Sequence, residues 1–431
     1  MVLREYRQTL IADEWIHHSR TPIPLAMKLS QIASYTRPLV RNAPRLWTVI
    51  DMAVILNPSH LYLHLDLSHQ CLLDIVPGFS GDEEMFPALV PLMAHVHRWR
   101  CLRLVVNYIS DLLPILTAFK KLYAPKLEEL NFVSMESYAE SDELSITGRF
   151  FRGGTPSLKI LNITNIAWLP ITDVTHDAWL PTTTRHLTHL KLHNMGFHAP
   201  LWGYMEFCQI LSTMDNLVHL CMVGKILAMP TIVTHSNLTL PKLRSLKLWM
   251  EEDEDESEEH PDGWGNHYFA AILAMFNFYV RLKRLYFMSP PPTSLKHILQ
   301  GMRSYTVHFA HVTELYWGID FTNNADATTF MEAFPAVECL YLVDVTASVI
   351  LDTLIKSPDL WRHLHTIDLA SHDVPEARRL VESRINAGVP LQCLRMREPA
   401  PECYLEALEW LAGQLTVLWV PDDPRIYHTT E

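Results

Sequence analysis

The chain has 431 residues, 48% hydrophobic and 19% charged, with a formal net charge of −13 at pH 7. That length exceeds what one compact core usually holds, so two or three domains or an elongated array are expected. The acidic balance runs against a nucleic-acid protein, which needs a basic stripe, and no run of eighteen uninterrupted apolar residues suggests a membrane span.

The first residues, MVLREYRQTLIADEW, are studded with charges and contain no apolar core, so a secretory signal is not expected. Seven scattered cysteines, none in a CxxC pair, suit a reducing cytoplasmic or nuclear compartment better than a disulfide framework or a zinc finger. From Pro24 the pattern of Leu25, Met27, Leu29 and Ile32, then Leu39 and Val40, predicts two short helices. Asn42-Ala43-Pro44 breaks them, Leu46 and Trp47 pack back, and Trp47–Asp51 reads as a first strand.

One pattern then recurs: a leucine, two variable residues, a leucine, one variable residue and another apolar residue. A weak copy, WRCLRL, starts at Trp99. Clear copies follow as LEELNF from Leu127, LKILNI from Leu158, LTHLKL from Leu187, LVHLCM from Leu217 and LRSLKL from Leu243. The series continues with LKRLYF from Leu282, VTELYW from Val312, VECLYL from Val337, LHTIDL from Leu364, LQCLRM from Leu391 and LTVLWV from Leu415. Steps between these eleven starts run from 24 to 39 residues and average about 29, a leucine-rich-repeat period.

In a strand, alternate side chains point to opposite faces. The second and third apolar residues of each copy therefore face inward, the residue between them faces outward, and the first leucine caps the same core from the preceding turn. Helical patterns lie between the copies, at 204–214, 266–279, 294–302, 327–334, 347–356 and 375–385. The longest step contains EEDEDESEE (251–259), whose eight carboxylates repel one another and predict a solvated loop over 251–262. This divides the chain into a helical segment at 1–50, a repeat array at 51–424 and a tail at 425–431. The expected fold is α/β: a curved solenoid with parallel strands on the concave side and helices on the convex side. A doubly wound sheet also alternates strands and helices, but does not repeat LxxLxL at near-constant steps.

The array resembles the ribonuclease-inhibitor-like class of leucine-rich repeats, in the irregular form found in fungal F-box proteins, over roughly residues 99–420. The asparagine that often closes the strand turn in that class is mostly missing; Asn194 is a survivor. Leu29-Ser30-Gln31-Ile32, Arg37 and Ala43-Pro44-Arg45-Leu46-Trp47 resemble the second half of an F-box. Ala33 and Thr36 stand where that family has Cys and Trp, and its first half is not recognisable in 1–24. The resemblance implies a substrate receptor of a cullin–RING ubiquitin ligase, with Leu29, Ile32, Leu39, Pro44, Leu46 and Trp47 as candidates for contact with the ligase adaptor. The same segment equally suits a cap over the first repeat, which would leave a ligase-independent binding scaffold or inhibitor.

The strand alternation puts Lys247, Tyr286, Tyr316 and Tyr341 on the outward face in a lateral row, flanked by Trp249, Arg284 and Glu314. Tyr, Trp and Arg dominate binding hot spots, so this row is the expected docking patch for a protein or peptide; the alternative is that a loop or the C-terminal tail covers the rings, or that they only brace neighbouring strands. No phosphate-binding, dinucleotide, nucleophile-elbow or zincin motif occurs, and no enzyme activity or cofactor is expected. His189 and His219 occupy equivalent outward positions, but His193 lies on the order of 13 Å along the strand from His189, too far for the roughly 2 Å convergence of a metal site.

Overall fold

The computed structural model describes residues 25–51, 58–76, 85–107, 109–134, 151, 154–165, 184–194, 202–228, 238–249, 268, 272–273, 275–276, 281–288, 309–318, 320–321, 323–342, 348–369, 374–396 and 404–419. The acidic run at 251–262, the tail at 425–431, residues 1–24 and the expected helix at 294–302 lie outside them, as does most of 266–279. Two units make up the chain: Met1–Leu217 with Lys225–Ala228, and Val218–Gly224 with Met229–Glu431.

The first unit opens with helices α1 (Leu25–Ile32) and α2 (Thr36–Arg41) and a 3-10 turn (Pro44–Trp47). Thr36 ends the link between the helices by donating its hydroxyl to the carbonyls of Leu29 and Ala33. Trp47 folds back under the pair, its indole N–H donating to the Val40 carbonyl at 2.9 Å, and joins Ala26 and Val40 in a small core. Strand β1 (Val49–Asp51) follows at once, then helix α3 (Pro58–Leu67), whose His64 ring meets Trp47 edge-on at 5.1 Å.

Strands β1, β2 (Leu73–Val76), β3 (Trp99–Val106), β4 (Glu129–Ser134), β5 (Ile160–Thr164) and β6 (His189–Asn194) pair in that order, all parallel. Helices α4 (Met85–Met93) and α5 (Ile109–Phe119) supply two of the crossovers, as parallel neighbours require. A small parallel pair, β7 (Trp202–Gly203) with β9 (Leu227–Ala228), flanks helix α6 (Tyr204–Ser212). The array thus begins at Val49, and β2 is a strand that the repeat pattern did not reveal; CLLDIV has leucines without the LxxLxL spacing.

In the second unit, β8 (His219–Gly224), β10 (Ser245–Trp249), β11 (Arg284–Met288), β12 (Glu314–Gly318), β13 (Cys339–Leu342), β14 (Thr366–Leu369), β15 (Cys393–Met396) and β16 (Thr416–Trp419) form a second parallel series. Between them lie α7 (Asn324–Ala333), α8 (Ser348–Lys356), α9 (Val374–Asn386) and α10 (Leu405–Gln414), close to the helical spans expected from the apolar periodicity. Asn323 caps α7 by accepting from the Asp326 amide.

Every clear copy from Leu127 to Leu391 places its three apolar residues in the core, from Leu127, Leu130 and Phe132 to Leu391, Leu394 and Met396. Like positions register across strands: Leu246 with Leu285, Leu285 with Leu315, Leu315 with Leu340. The last copy differs. Val417, not Leu418, registers with Leu394, and this one-residue offset moves Leu418 to the outward face. Leu418 and Trp419 are accordingly exposed.

Several buried polar side chains inside the array donate to backbone carbonyls. Arg384 is fully buried, and its guanidinium donates to the carbonyls of Val389, Pro358, Leu360, Trp361 and Leu364 at 3.0–3.3 Å, stitching α9 to the turns before β14 and β15. Burial brings its pKa down to about 10. Arg98 serves the turn before β3 in the same way, donating to the Cys71 carbonyl and the Ser68 hydroxyl. Asn165, held at φ 54°, donates its amide to the Ser134 carbonyl, and Asn194 to the Lys225 carbonyl at 2.7 Å. These are the strand-exit asparagines that tie one repeat to the next.

Replacing Leu246 or Leu340 by alanine should cost roughly 2–5 kcal/mol, because both side chains are fully buried. Arg384→Met should cost at least roughly 2 kcal/mol by leaving carbonyls unpaired. Chemical denaturation of each variant against the unaltered chain measures both.

Candidate functional site

The outward face of the second unit is built by strand alternation alone. Burying Leu246 and Leu248, Leu285 and Phe287, Leu315 and Trp317, and Leu340 and Leu342 obliges the residues between them to point the other way. The expected row is thereby assembled in register: Lys247 beside Tyr286, Tyr286 beside Tyr316, Tyr316 beside Tyr341. Because the strands are parallel and unshifted, the tyrosine rings stack face to face. Centroids are 4.0 Å apart between Tyr286 and Tyr316 at 14°, and 4.1 Å apart between Tyr316 and Tyr341 at 6°.

The row extends further than its tyrosines. Asp368 registers with Tyr341 and Arg395 with Asp368. The Arg395 guanidinium lies 5.2 Å from the Tyr341 ring centre and pairs with the Asp368 carboxylate at 3.8 Å. Both residues occupy the between-leucine position of their copies, IDL and LRM, so the alternation that located the tyrosines also contained them. Along the leading edge Arg284 pairs with Glu314 at 3.0 Å, and at the other end Lys247 sits 5.2 Å from the Trp249 ring centre.

Burial differs along the row. Tyr286 and Tyr316 are half-buried, whereas Tyr341, sandwiched between Tyr316 and Arg395, is buried and corrects the expectation that it offers contact area. Its part is to hold Tyr316 upright. Burial raises the phenol pKa of Tyr286, Tyr316 and Tyr341 alike, and neighbouring phenols raise Tyr316 further. Burial also pushes the Cys101 thiol up to about 12 and raises Cys339 and Cys393. These phenols and thiols are thus protonated at neutral pH and are suited to packing and hydrogen bonding rather than to nucleophilic attack. Among the described residues no cluster of His, Cys, Asp or Glu is arranged to hold a metal ion.

The adaptor candidates divide by exposure. Ile32 and Leu39 are 69% and 67% exposed, and Leu46 is exposed too. Tyr35, absent from the sequence-based set, joins them at 72%. Leu29 and Pro44 are half-buried. Trp47 is a correction: it is a core residue, because its large ring fills the space between α1, α2 and α3 and its N–H is spent on Val40. No helix among the described residues is long and apolar enough to cross a membrane. No protein-family model matches the chain, and no curated protein sequence matches it.

The raised phenol pKa values carry a sign. The folded state holds these protons more tightly than the unfolded chain, so stability is fully present below the usual phenol range near 10 and is lost as pH rises through and above it. Denaturation midpoints should therefore fall as the pH is raised from roughly 9 to 11. Tyr316→Phe, which cannot ionise, should flatten the fall.

Proposed function

We propose that this chain is a non-enzymatic leucine-rich-repeat solenoid, its parallel strands on a concave side and its helices on a convex one, that binds another protein through the tyrosine-lined strand face. The observation that carries this reading is the in-register stack of Tyr286, Tyr316 and Tyr341. Three aromatic side chains are fixed before any partner arrives, so little side-chain entropy remains to be lost on binding. Their flanks add the Arg284–Glu314 pair and the Lys247–Trp249 contact, the residue types on which interface energy concentrates.

We further propose that the chain is a substrate receptor of an F-box type cullin–RING ubiquitin ligase, working in the cytoplasm or nucleus. Support comes from the motif resemblance over residues 29–47 together with the exposed apolar set of Ile32, Tyr35, Leu39 and Leu46 on α1, the link to α2, α2 itself and the turn that follows. Large apolar side chains exposed together on a folded segment mark interaction surfaces. That the first half of an F-box is not recognisable in residues 1–24 favours the second reading, a ligase-independent scaffold or inhibitor in which these residues meet something else.

Co-purification with the ligase adaptor separates the two. The full chain should retain the adaptor, and Ile32→Asp with Leu39→Asp should release it at least roughly tenfold without loss of folding; failure of the full chain to retain it would leave the scaffold reading. Tyr316→Ala should keep the adaptor and the fold yet lose captured partner proteins, scored by quantitative comparison of the two capture sets. An unchanged set would reject the tyrosine face.

A further inference from the structure

Opposite charges are matched across the strands at several places in the described parts of this molecule. Arg100 pairs with Asp74, Arg103 with Glu129 at 2.8 Å, Lys159 with Glu128 at 3.2 Å, Arg284 with Glu314 at 3.0 Å, and Arg395 with Asp368 at 3.8 Å. The Lys159–Glu128 pair occupies a particular place: each residue immediately precedes its strand, on the rim where the chain enters the ladder. At the same rim position of β10 and β11 stand Arg244 and Lys283, and both are cations. The Arg244 carbonyl accepts from the Lys283 amide at 2.8 Å, so the two backbones are direct neighbours. Arg281, two residues before Lys283, adds a third positive charge.

All three side chains are exposed, and none makes an ion pair among the described residues. Like charges placed opposite each other on adjacent strands destabilise a sheet. A protein with a net charge of −13 has carboxylates in excess, yet among the described residues none pairs with this cluster. An exposed cluster of like charges beside an aromatic face is a place to test for a partner of opposite charge.

We infer that Arg244, Arg281 and Lys283 form the anchoring end of the partner site and take an acidic segment of a protein. The inference rests on the reading of this face as the partner-binding one and specifies the partner's chemistry. Lys283 precedes Tyr286 by three residues of extended chain, roughly 10 Å, so a segment whose carboxylates meet the rim continues directly over Tyr286 and Tyr316. A polypeptide with a few carboxylates suits the site better than a nucleic acid. The cationic rim is short, Glu314 and Asp368 lie on the same face, and the overall charge repels a long polyanion.

The test uses the full chain and a fluorescein-labelled decapeptide of alternating Glu and Asp, read by fluorescence anisotropy. Binding should weaken as salt rises. Arg244→Glu with Lys283→Glu should reduce affinity roughly tenfold or more, while Lys120→Glu with Lys121→Glu, a reversal elsewhere on the surface, should change it less than roughly twofold. Circular dichroism and thermal midpoints check that both variants are folded. Unchanged affinity in the Arg244 and Lys283 variant overturns the inference, as does tighter binding of a single-stranded oligonucleotide of ten phosphates, roughly matched in charge. A tenfold gain in affinity on converting the carboxylates of 251–259 to amides, roughly the scale of removing a competing charge cluster, would assign the cations to the chain's own acidic run and also overturn it. Partner capture separates this inference from the broader reading. Loss on Tyr316→Ala with no loss on charge reversal rejects the rim alone, and the opposite result rejects the tyrosine stack.

Discussion

A single strand of this protein has nowhere to hide its leucines. Each copy of the repeat carries three apolar residues on one side of a strand and its entering turn, and they are covered only when the next copy places its own three beside them. That mutual burial requires parallel strands with like positions in register, which is what Leu246, Leu285, Leu315 and Leu340 display. It also commits every intervening residue to the other face. The outward row is therefore a by-product of core packing, and its composition is free to serve something other than folding.

In the second unit that freedom is used for aromatic residues. Parallel strands roughly 4.8 Å apart bring identical outward side chains within stacking distance, and the observed separations of 4.0 and 4.1 Å are slightly closer than the backbone spacing because the rings lean together. The stack ends on a cation at Arg395, whose own charge is balanced by Asp368. Stacked rings and paired charges hold the face in one arrangement. At the leading rim, Arg244 and Lys283 lack that balance, and the asymmetry gives the face a direction.

The turns are held by a different device. Helix ends and strand exits leave carbonyls without partners, and the chain supplies long donors to reach them. Arg384 and Arg98 are buried for this purpose, and Asn165 and Asn194 do the same at strand exits. Such residues look like ordinary surface arginines and asparagines in a sequence, because nothing local distinguishes a donor that turns inward from one that faces water.

By itself the sequence determined the repeat, the inward leucines and the outward tyrosines, since period-two alternation is a local property that needs no knowledge of neighbours. It determined equally that Asp368 and Arg395 share the tyrosines' side of the ladder. Only the tertiary structure decided the rest, because each remaining feature depends on which atoms meet across repeats. The slip that exposes Leu418 is a matter of register with β15. The burial of Trp47 depends on α3 arriving beside it, and that of Tyr341 on Arg395 lying over its free face. The like-charged rim of Arg244 and Lys283, 39 residues apart in the chain, exists only once β10 and β11 lie side by side.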